Sequence, residues 1–318
     1  MNIIKKILNK FKKEYYSCAN IRNGFNFYRS DKLSSCCYTI EGNLTIGDIN
    51  DKDIIKKIEK YQNDLIKLHK NNKAPECCKN CTNFKKDKWS NKINKKMFWI
   101  PLNHYKICNL KCTHCGYRKN DDDQKDTNHE KVLNLLKSLH EKGKLDKNCT
   151  IAIGGGEPSI NKGIEKILQF CLDNNYKALI NSNGAKYSEI ITNGVNKGLF
   201  TLDLTPDAGS KDVYLKIKGA DFFDVAWENI KKYTQSTDGK ANVKFIIEEG
   251  NVNDVQNMIN KCLEVGVKHV TLAFDLFIKK EDFEVYRKPV NEFISLCKEN
   301  NIKCNASSFV PEEILNWK

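Results

Sequence analysis

The sequence predicts an α/β protein in which a partial (β/α)6 barrel follows a small cysteine-rich α+β segment. Three observations carry this expectation. From about residue 95 onward, short apolar strands alternate with amphipathic helices, the pattern of a parallel sheet with right-handed crossovers. Six such units fit into about 220 residues, which suits a partial barrel better than a closed eightfold one. Nine of the 14 cysteines fall within the first 115 residues, six of them in residues 1–95, ahead of the change in organisation that separates 1–95 from 96–318.

The N-terminus, MNIIKKILNKFKKEYY, lacks a continuous apolar stretch and a small-residue cleavage site, so it does not read as a secretory signal. Ile3, Ile4, Ile7, Leu8 and Phe11 share one helical face among lysines. That face fits a docked amphipathic helix, or one lying on an anionic membrane surface. A helix carrying Ile54, Ile58, Tyr61, Leu65 and Leu68 follows.

The barrel begins with a strand at 97–107, a helix marked by Val132, Leu135, Leu136 and Leu139, and the strand CTIAIGG. Helices are expected at 162–173, 186–197, 222–234, 252–265 and 281–299. Strands are expected at KALINS, LFTLDL, NVKFII, HVTLAF and 301–306. The stretch Pro311–Lys318 reads as a short closing helix, and Asp121–Asp123 as a solvated loop.

No run of 18 apolar residues exists, so no membrane span is expected. The net charge of +13 comes almost entirely from lysine, the arginines being Arg22, Arg29, Arg118 and Arg287. Base and phosphate readout leans on arginine forks. The charge therefore reads as solvated faces, and no nucleic-acid partner is expected. The expected location is the cytoplasm. There disulfides are disfavoured, and many cysteines point to metal ligation. Cys149, Cys171, Cys262, Cys297 and Cys304 are isolated in apolar patterns and read as buried inert thiols.

Two motifs carry chemistry. Cys108-Asn-Leu-Lys-Cys112-Thr-His-Cys115 directly follows the first barrel strand. Three thiolates at this spacing suit one face of a cubane iron–sulfur cluster and leave one iron open. A zinc site completed by His114 or His104 is the alternative. Gly154-Gly155-Gly156-Glu157-Pro158 follows the second barrel strand. Its glycines permit close backbone approach, and Glu157 supplies an anion that could pair with an ammonium group.

The pair of motifs resembles the radical S-adenosylmethionine (SAM) superfamily, over roughly residues 97–306. The resemblance implies that Cys108, Cys112 and Cys115 hold a 4Fe–4S cluster whose open iron is chelated by SAM. It implies that Gly155, Gly156 and Glu157 hold the SAM amino group. Ser182 and Asn183 at the third strand end, and Thr205 and Asp207 after the fourth, become candidate SAM contacts; Pro206 is unusual there. His114, before the last cysteine, stands where the family often has an aromatic residue over the adenine, with Tyr117 a second candidate. The implied chemistry is reductive cleavage of SAM to a 5′-deoxyadenosyl radical, with electrons from a flavodoxin- or ferredoxin-type donor. That radical would take hydrogen from an unidentified substrate, a peptide or protein side chain or a sugar or alcohol.

In the N-terminal segment, Cys78-x-x-Cys81 is a tight chelate that Cys18 and Cys36 or Cys37 could complete. The order of these cysteines around IGDI and a helix resembles the auxiliary-cluster domains called SPASM or twitch. Those usually follow the barrel; here the segment precedes it. A second, auxiliary 4Fe–4S cluster is the expectation and a structural zinc module the alternative. In another class altogether, the chain could be a non-catalytic zinc- or iron–sulfur-binding interaction protein on a degenerate barrel.

Overall fold

A computed structural model describes residues 13–27, 31–36, 44–79, 81, 83–89, 96–119, 128–275, 278–307, 310 and 315. Cys37, the amphipathic face of residues 3–11, the acidic run 121–123 and most of 311–318 lie outside the described residues. The chain divides into two compact units, Met1–Tyr105 with Gln124–Ala152, and Lys106–Asp123 with Ile153–Lys318. The division differs from the expected boundary at 95/96. The strand expected to open the barrel groups with the N-terminal segment, because its pairing partner at Phe27 lies there.

The first unit holds strands β1 (Lys13–Ser17), β2 (Asn26–Phe27), β3 (Lys32–Ser34), β4 (Thr45–Asp48), β5 (Lys85–Trp89), β6 (Met97–Leu102) and β7 (Leu145–Ile153). β1 pairs antiparallel with β5, Lys13 opposite Trp89. β2 joins β6 in parallel and β3 antiparallel, and β3 pairs with β4. The helix Ile54–Lys70 turns Ile54, Ile58, Leu65 and Ile66 inward, together with Gln62 and His69. Gln62 is satisfied there by donating to the Gly24 carbonyl at 2.7 Å.

Two buried histidines give this unit an acid limit. His69 faces the Ser17 hydroxyl through Nδ1 at 3.1 Å. His104 shares a 2.8 Å hydrogen bond with His129. Burial, with a contribution from Arg22, pushes His69 down to about 4. Burial, with a contribution from His129, pushes His104 to about 3. The unfolded value is about 6.5, so below that pH the unfolded chain takes up protons that the folded chain refuses. Stability is full above pH 6.5 and falls by about 1.4 kcal/mol per pH unit for each histidine as the pH drops toward those folded values. Urea midpoints measured from pH 7 to pH 5 are expected to fall steadily. A flat profile would contradict the buried neutral state.

The second unit is a parallel sheet of β8 (Lys177–Ser182), β9 (Phe200–Leu204), β10 (Asn242–Ile247), β11 (His269–Phe274) and β12 (Lys303–Ala306), adjacent in that order. The expected strands and the crossover helices Glu189–Asn196, Phe223–Ser236, Val255–Glu264 and Arg287–Glu299 are present. The alternation works because β8, β9 and β10 bury every second residue, as Ala178, Ile180 and Ser182 do in β8. The helix Lys162–Asp173 starts where the Asn161 side chain accepts from the Gly163 and Ile164 amides, and its stripe Ile164, Ile167, Leu168, Cys171 is buried. A further helix, Lys211–Lys218, was not anticipated by the apolar pattern. The Phe245 and Phe293 rings stack at 5.2 Å to join sheet and helix.

Cys149, Cys171, Cys262 and Cys297 are buried as expected, whereas Cys304 is half-buried on the edge strand β12. Among the described residues no helix is long and apolar enough to cross a membrane.

Candidate functional site

The C-terminal ends of parallel strands are where open α/β sheets place ligands. In the second unit those ends carry Ser182 and Asn183 after β8, Thr205 and Asp207 after β9, and Glu248 after β10. The cysteine loop 108–115 and the turn 154–158 belong to the same unit.

Glu157 is the first centre. It is buried, and its Oε1 accepts from the Ser182 hydroxyl at 2.8 Å and the Ser159 amide at 2.9 Å. Its Oε2 accepts from the Asn183 amide at 2.7 Å. A carboxylate has about four acceptor positions. Oε2 therefore keeps capacity for one more donor, as an ammonium group would require. Burial raises the Glu157 pKa against the opposing effect of these donors.

The turn before Glu157 is tied to the cysteine loop. The Glu157 amide donates to the Ile107 carbonyl at 2.9 Å. A Cβ on Gly156 would lie 2.1 Å from that same carbonyl oxygen, so only glycine permits the approach. Gly155 is left-handed at φ 91°.

Asn183 links this centre to the thiols. Its Nδ2 donates to Asn109 Oδ1 at 2.8 Å and lies 3.8 Å from Cys108 Sγ, while the Leu110 amide lies 3.4 Å from that sulfur. Amide donors directed at a cysteine sulfur are among the interactions that tune iron–sulfur ligands. Cys108 is exposed, and Cys112 and Cys115 are half-buried. Burial pushes the Cys112 thiol up to about 11, so the free thiol holds its proton and metal ligation would displace it. Among the described residues no three His, Cys, Asp or Glu side chains converge on a point suited to one metal ion. A cubane cluster spreads its irons over its corners, so its ligands need not converge on one point. The donor set, the amides at sulfur and the glycine approach fit such a cluster beside a ligand with an ammonium group.

The second centre clasps the cysteine loop from behind. Asp207, fully buried and left-handed at φ 55°, pairs with the buried Lys218 ammonium and accepts from the Ile246 amide at 2.7 Å. Burial disfavours the Lys218 ammonium, but Asp207 and Cys112 outweigh it and hold its pKa above the ordinary value. The Lys218 carbonyl accepts from the Lys111 amide at 2.8 Å, and the Ile217 carbonyl from the Thr113 amide at 2.9 Å. His114 lies between carboxylates, Nδ1 3.0 Å from Glu248 and Nε2 3.6 Å from Asp207.

Several of the sequence-predicted residues in the second unit are thus brought together, and others are engaged elsewhere. Glu157, Ser182 and Asn183 form one hydrogen-bonded set. Thr205 instead bonds back through its amide and hydroxyl to the Ser182 carbonyl, at 2.9 and 3.2 Å. Asp207 is spent on Lys218 and Ile246. His114 has both ring nitrogens turned toward carboxylates, and His104 is engaged by His129. Neither histidine is thereby disposed as a fourth ligand of a zinc site. Sequence reasoning missed Asn109, Lys218, Glu248 and Asn251. Asn251 accepts from the Glu248 amide at 2.9 Å and donates to the Asp207 carbonyl at 3.0 Å. A carboxylate directly after a parallel strand was the available signal for Glu248.

In the first unit, Cys18 and Cys78 are buried with Ile21, Leu44 and Leu65, and Cys36, Cys77, Tyr61 and Phe84 pack against them. The Cys81 amide donates to the Cys78 carbonyl at 3.1 Å. Burial, then Cys77, pushes Cys78 up to about 12. Cys77, not among the expected ligands, belongs to the group.

Residues 102–287, more than half of the chain, match the radical SAM superfamily, and the chain belongs to that superfamily. Among its relatives, a probable GTP 3′,8-cyclase of Sulfurisphaera tokodaii is 23% identical over 68% of this chain and 69% of its own. An Fe-coproporphyrin III synthase of Methanosarcina barkeri is 24% identical over 62% of this chain and 47% of its own length. Among solved structures, Streptococcus suis SuiB bound to S-adenosylmethionine aligns with a TM-score of 0.54 at 16% identity, over 81% of this chain and 56% of SuiB. SuiB bound to its precursor peptide SuiA aligns at 0.53 and 15% identity, over 79% of this chain and 63% of that one. The chain therefore spans between 47% and 69% of these proteins' own lengths. The mixed α/β fold with its parallel sheet is the fold of these neighbours.

Proposed function

We propose that this chain is a radical SAM enzyme in which Cys108, Cys112 and Cys115 hold a 4Fe–4S cluster and Glu157 receives the amino group of SAM. A cluster of this kind with SAM bound supplies reductive cleavage of the sulfonium to a 5′-deoxyadenosyl radical, which takes hydrogen from substrate. The observation that carries the reading is the continuous hydrogen-bonded path from Glu157 through Asn183 to Asn109 and Cys108. It places an anion with spare acceptor capacity beside the most exposed of the three thiols.

The residues of this chain bind and orient. Gly156 brings the turn against Ile107, and Ser182 and the Asn183 amide fix the Glu157 carboxylate. Thr205 ties β9 to the end of β8, and Asp207, Lys218 and His114 hold the cysteine loop. Electrons come from a flavodoxin- or ferredoxin-type donor. The hydrogen donor is a peptide or protein side chain, or a sugar or alcohol, and the peptide bound in a SuiB structure favours the first. In the first unit, Cys78 and Cys81, with Cys18 and one of Cys36 and Cys37, hold a second, auxiliary iron–sulfur cluster of SPASM or twitch type. The gathering of Cys18, Cys36, Cys77 and Cys78 in one apolar cluster supports it.

Glu157→Gln tests the SAM site. It exchanges a charge-assisted contact to an ammonium, worth about 1.5–3 kcal/mol, for a neutral one. Equilibrium dialysis of SAM against reconstituted protein is expected to show binding weakened roughly 10- to 100-fold, with iron content unchanged. Wild-type affinity in this variant would remove Glu157 from the SAM site.

A further inference from the structure

The geometry points to Glu248 as a positioning residue for the cluster-binding loop, a role that rests on the proposed ligation by Cys108, Cys112 and Cys115. Glu248 stands immediately after β10 and carries no ligand atom for the cluster. Both its carboxylate oxygens are directed at the two residues between the second and third cysteines. Oε1 and Oε2 accept from the Thr113 hydroxyl at 2.7 and 2.9 Å, and Oε1 also lies 3.0 Å from His114 Nδ1.

The backbone that carries this carboxylate is itself held. The Glu248 amide donates to Asn251 Oδ1 at 2.9 Å, and Asn251 Nδ2 donates to the Ile246 and Asp207 carbonyls at 2.9 and 3.0 Å. The residue is 9% exposed. A buried carboxylate needs partners such as Thr113 and His114, because an uncompensated one is costly. Thr113, by contrast, is an exposed side chain. Its hydroxyl lies 3.5 Å from the Ile217 carbonyl, and its shorter bonds, those that hold its rotamer, are to Glu248.

The consequence concerns the short segment between Cys112 and Cys115. A two-residue spacer leaves the relative placement of these thiols to the φ and ψ of Thr113 and His114. Backbone bonds from Thr113 to Ile217 and from Lys111 to Lys218 fix the start of the spacer. Glu248 fixes its side chains. Partners of this kind, one step removed from a metal, orient the ligands and typically change metal affinity 10- to 100-fold when removed.

The test uses the full chain, reconstituted without oxygen, and three variants: Glu248→Ala, Glu248→Gln and Thr113→Val. Iron release to a ferrous chelator is followed without SAM, and iron released by the Cys108/Cys112/Cys115→Ala chain is subtracted. The electron paramagnetic resonance spectrum of the dithionite-reduced cluster and the thermal midpoint are recorded alongside. Glu248→Ala and Thr113→Val are expected to lose iron roughly 10-fold faster with an altered spectrum and a thermal midpoint near wild type. Glu248→Gln keeps an oxygen acceptor for Thr113 and is expected to lie closer to wild type than Glu248→Ala.

Wild-type release and spectrum in both Glu248→Ala and Thr113→Val would overturn the role. So would release that merely follows a fall in thermal midpoint. If Glu248→Ala does not fold, Thr113→Val, which removes one exposed hydroxyl, decides alone. A wild-type chain without cluster iron at the three cysteines is a different outcome, and it defeats the proposed function instead.

Discussion

Lys218→Met is expected to destabilise the second unit by about 3–5 kcal/mol, the cost of breaking a buried ion pair by removing one partner. Lys218 and Asp207 are at 1% and 0% exposure, and the ammonium is in contact with the carboxylate. Removing the ammonium leaves the Asp207 carboxylate buried with the Ile246 amide and His114 as its remaining polar neighbours. Methionine keeps most of the volume, so cavity formation contributes little. Adding Asp207→Asn removes the orphaned charge. The double variant is expected to recover part of the loss, since residues in contact do not act additively. Urea unfolding of the two variants and wild type measures both. A loss below about 1 kcal/mol for Lys218→Met would mean that the pair behaves like a solvated surface bridge.

This pair also marks where the sequence stops being informative. The cysteine loop and the turn at 154–158 are legible because their chemistry sits in contiguous residues at a fixed place in the strand order. The strands and most crossover helices are legible because each buries one face, as Ile164, Ile167, Leu168 and Cys171 do on the helix Lys162–Asp173. Lys218 is not legible. It closes the short helix Lys211–Lys218 just before Gly219, which is left-handed at φ 65°, and a lysine there reads as an ordinary solvated helix end. It is buried because the cysteine loop packs over that end: a Cβ on Gly219 would meet Lys111 Cβ at 2.9 Å. Glu248 likewise sits in a Glu-Glu-Gly turn whose local sequence says only that the strand has ended.

His114 illustrates a different failure. Its place before the last cysteine suggests stacking, and no local signal indicates that two carboxylates, from the ends of β9 and β10, converge on it. Only tertiary structure brings residues 114, 207 and 248 together. Of the N-terminal cysteines, Cys18, Cys36 and Cys78 pack in one cluster, and their scarcity is what singles them out in the sequence. Cys77 was harder to place, since adjacent cysteines give no sequence basis for choosing which one turns inward.

The central claim is that Cys108, Cys112 and Cys115 hold the cluster at which SAM is cleaved. The direct measurement is iron content together with 5′-deoxyadenosine formation under dithionite, for wild type and the Cys108/Cys112/Cys115→Ala chain, both reconstituted without oxygen. The account predicts that the variant holds about four fewer irons than wild type, one cubane cluster, and that only wild type forms 5′-deoxyadenosine. About four irons remaining in the variant would place the auxiliary cluster in the first unit. Equal iron in both chains, zinc in place of iron, or 5′-deoxyadenosine from the variant would contradict it.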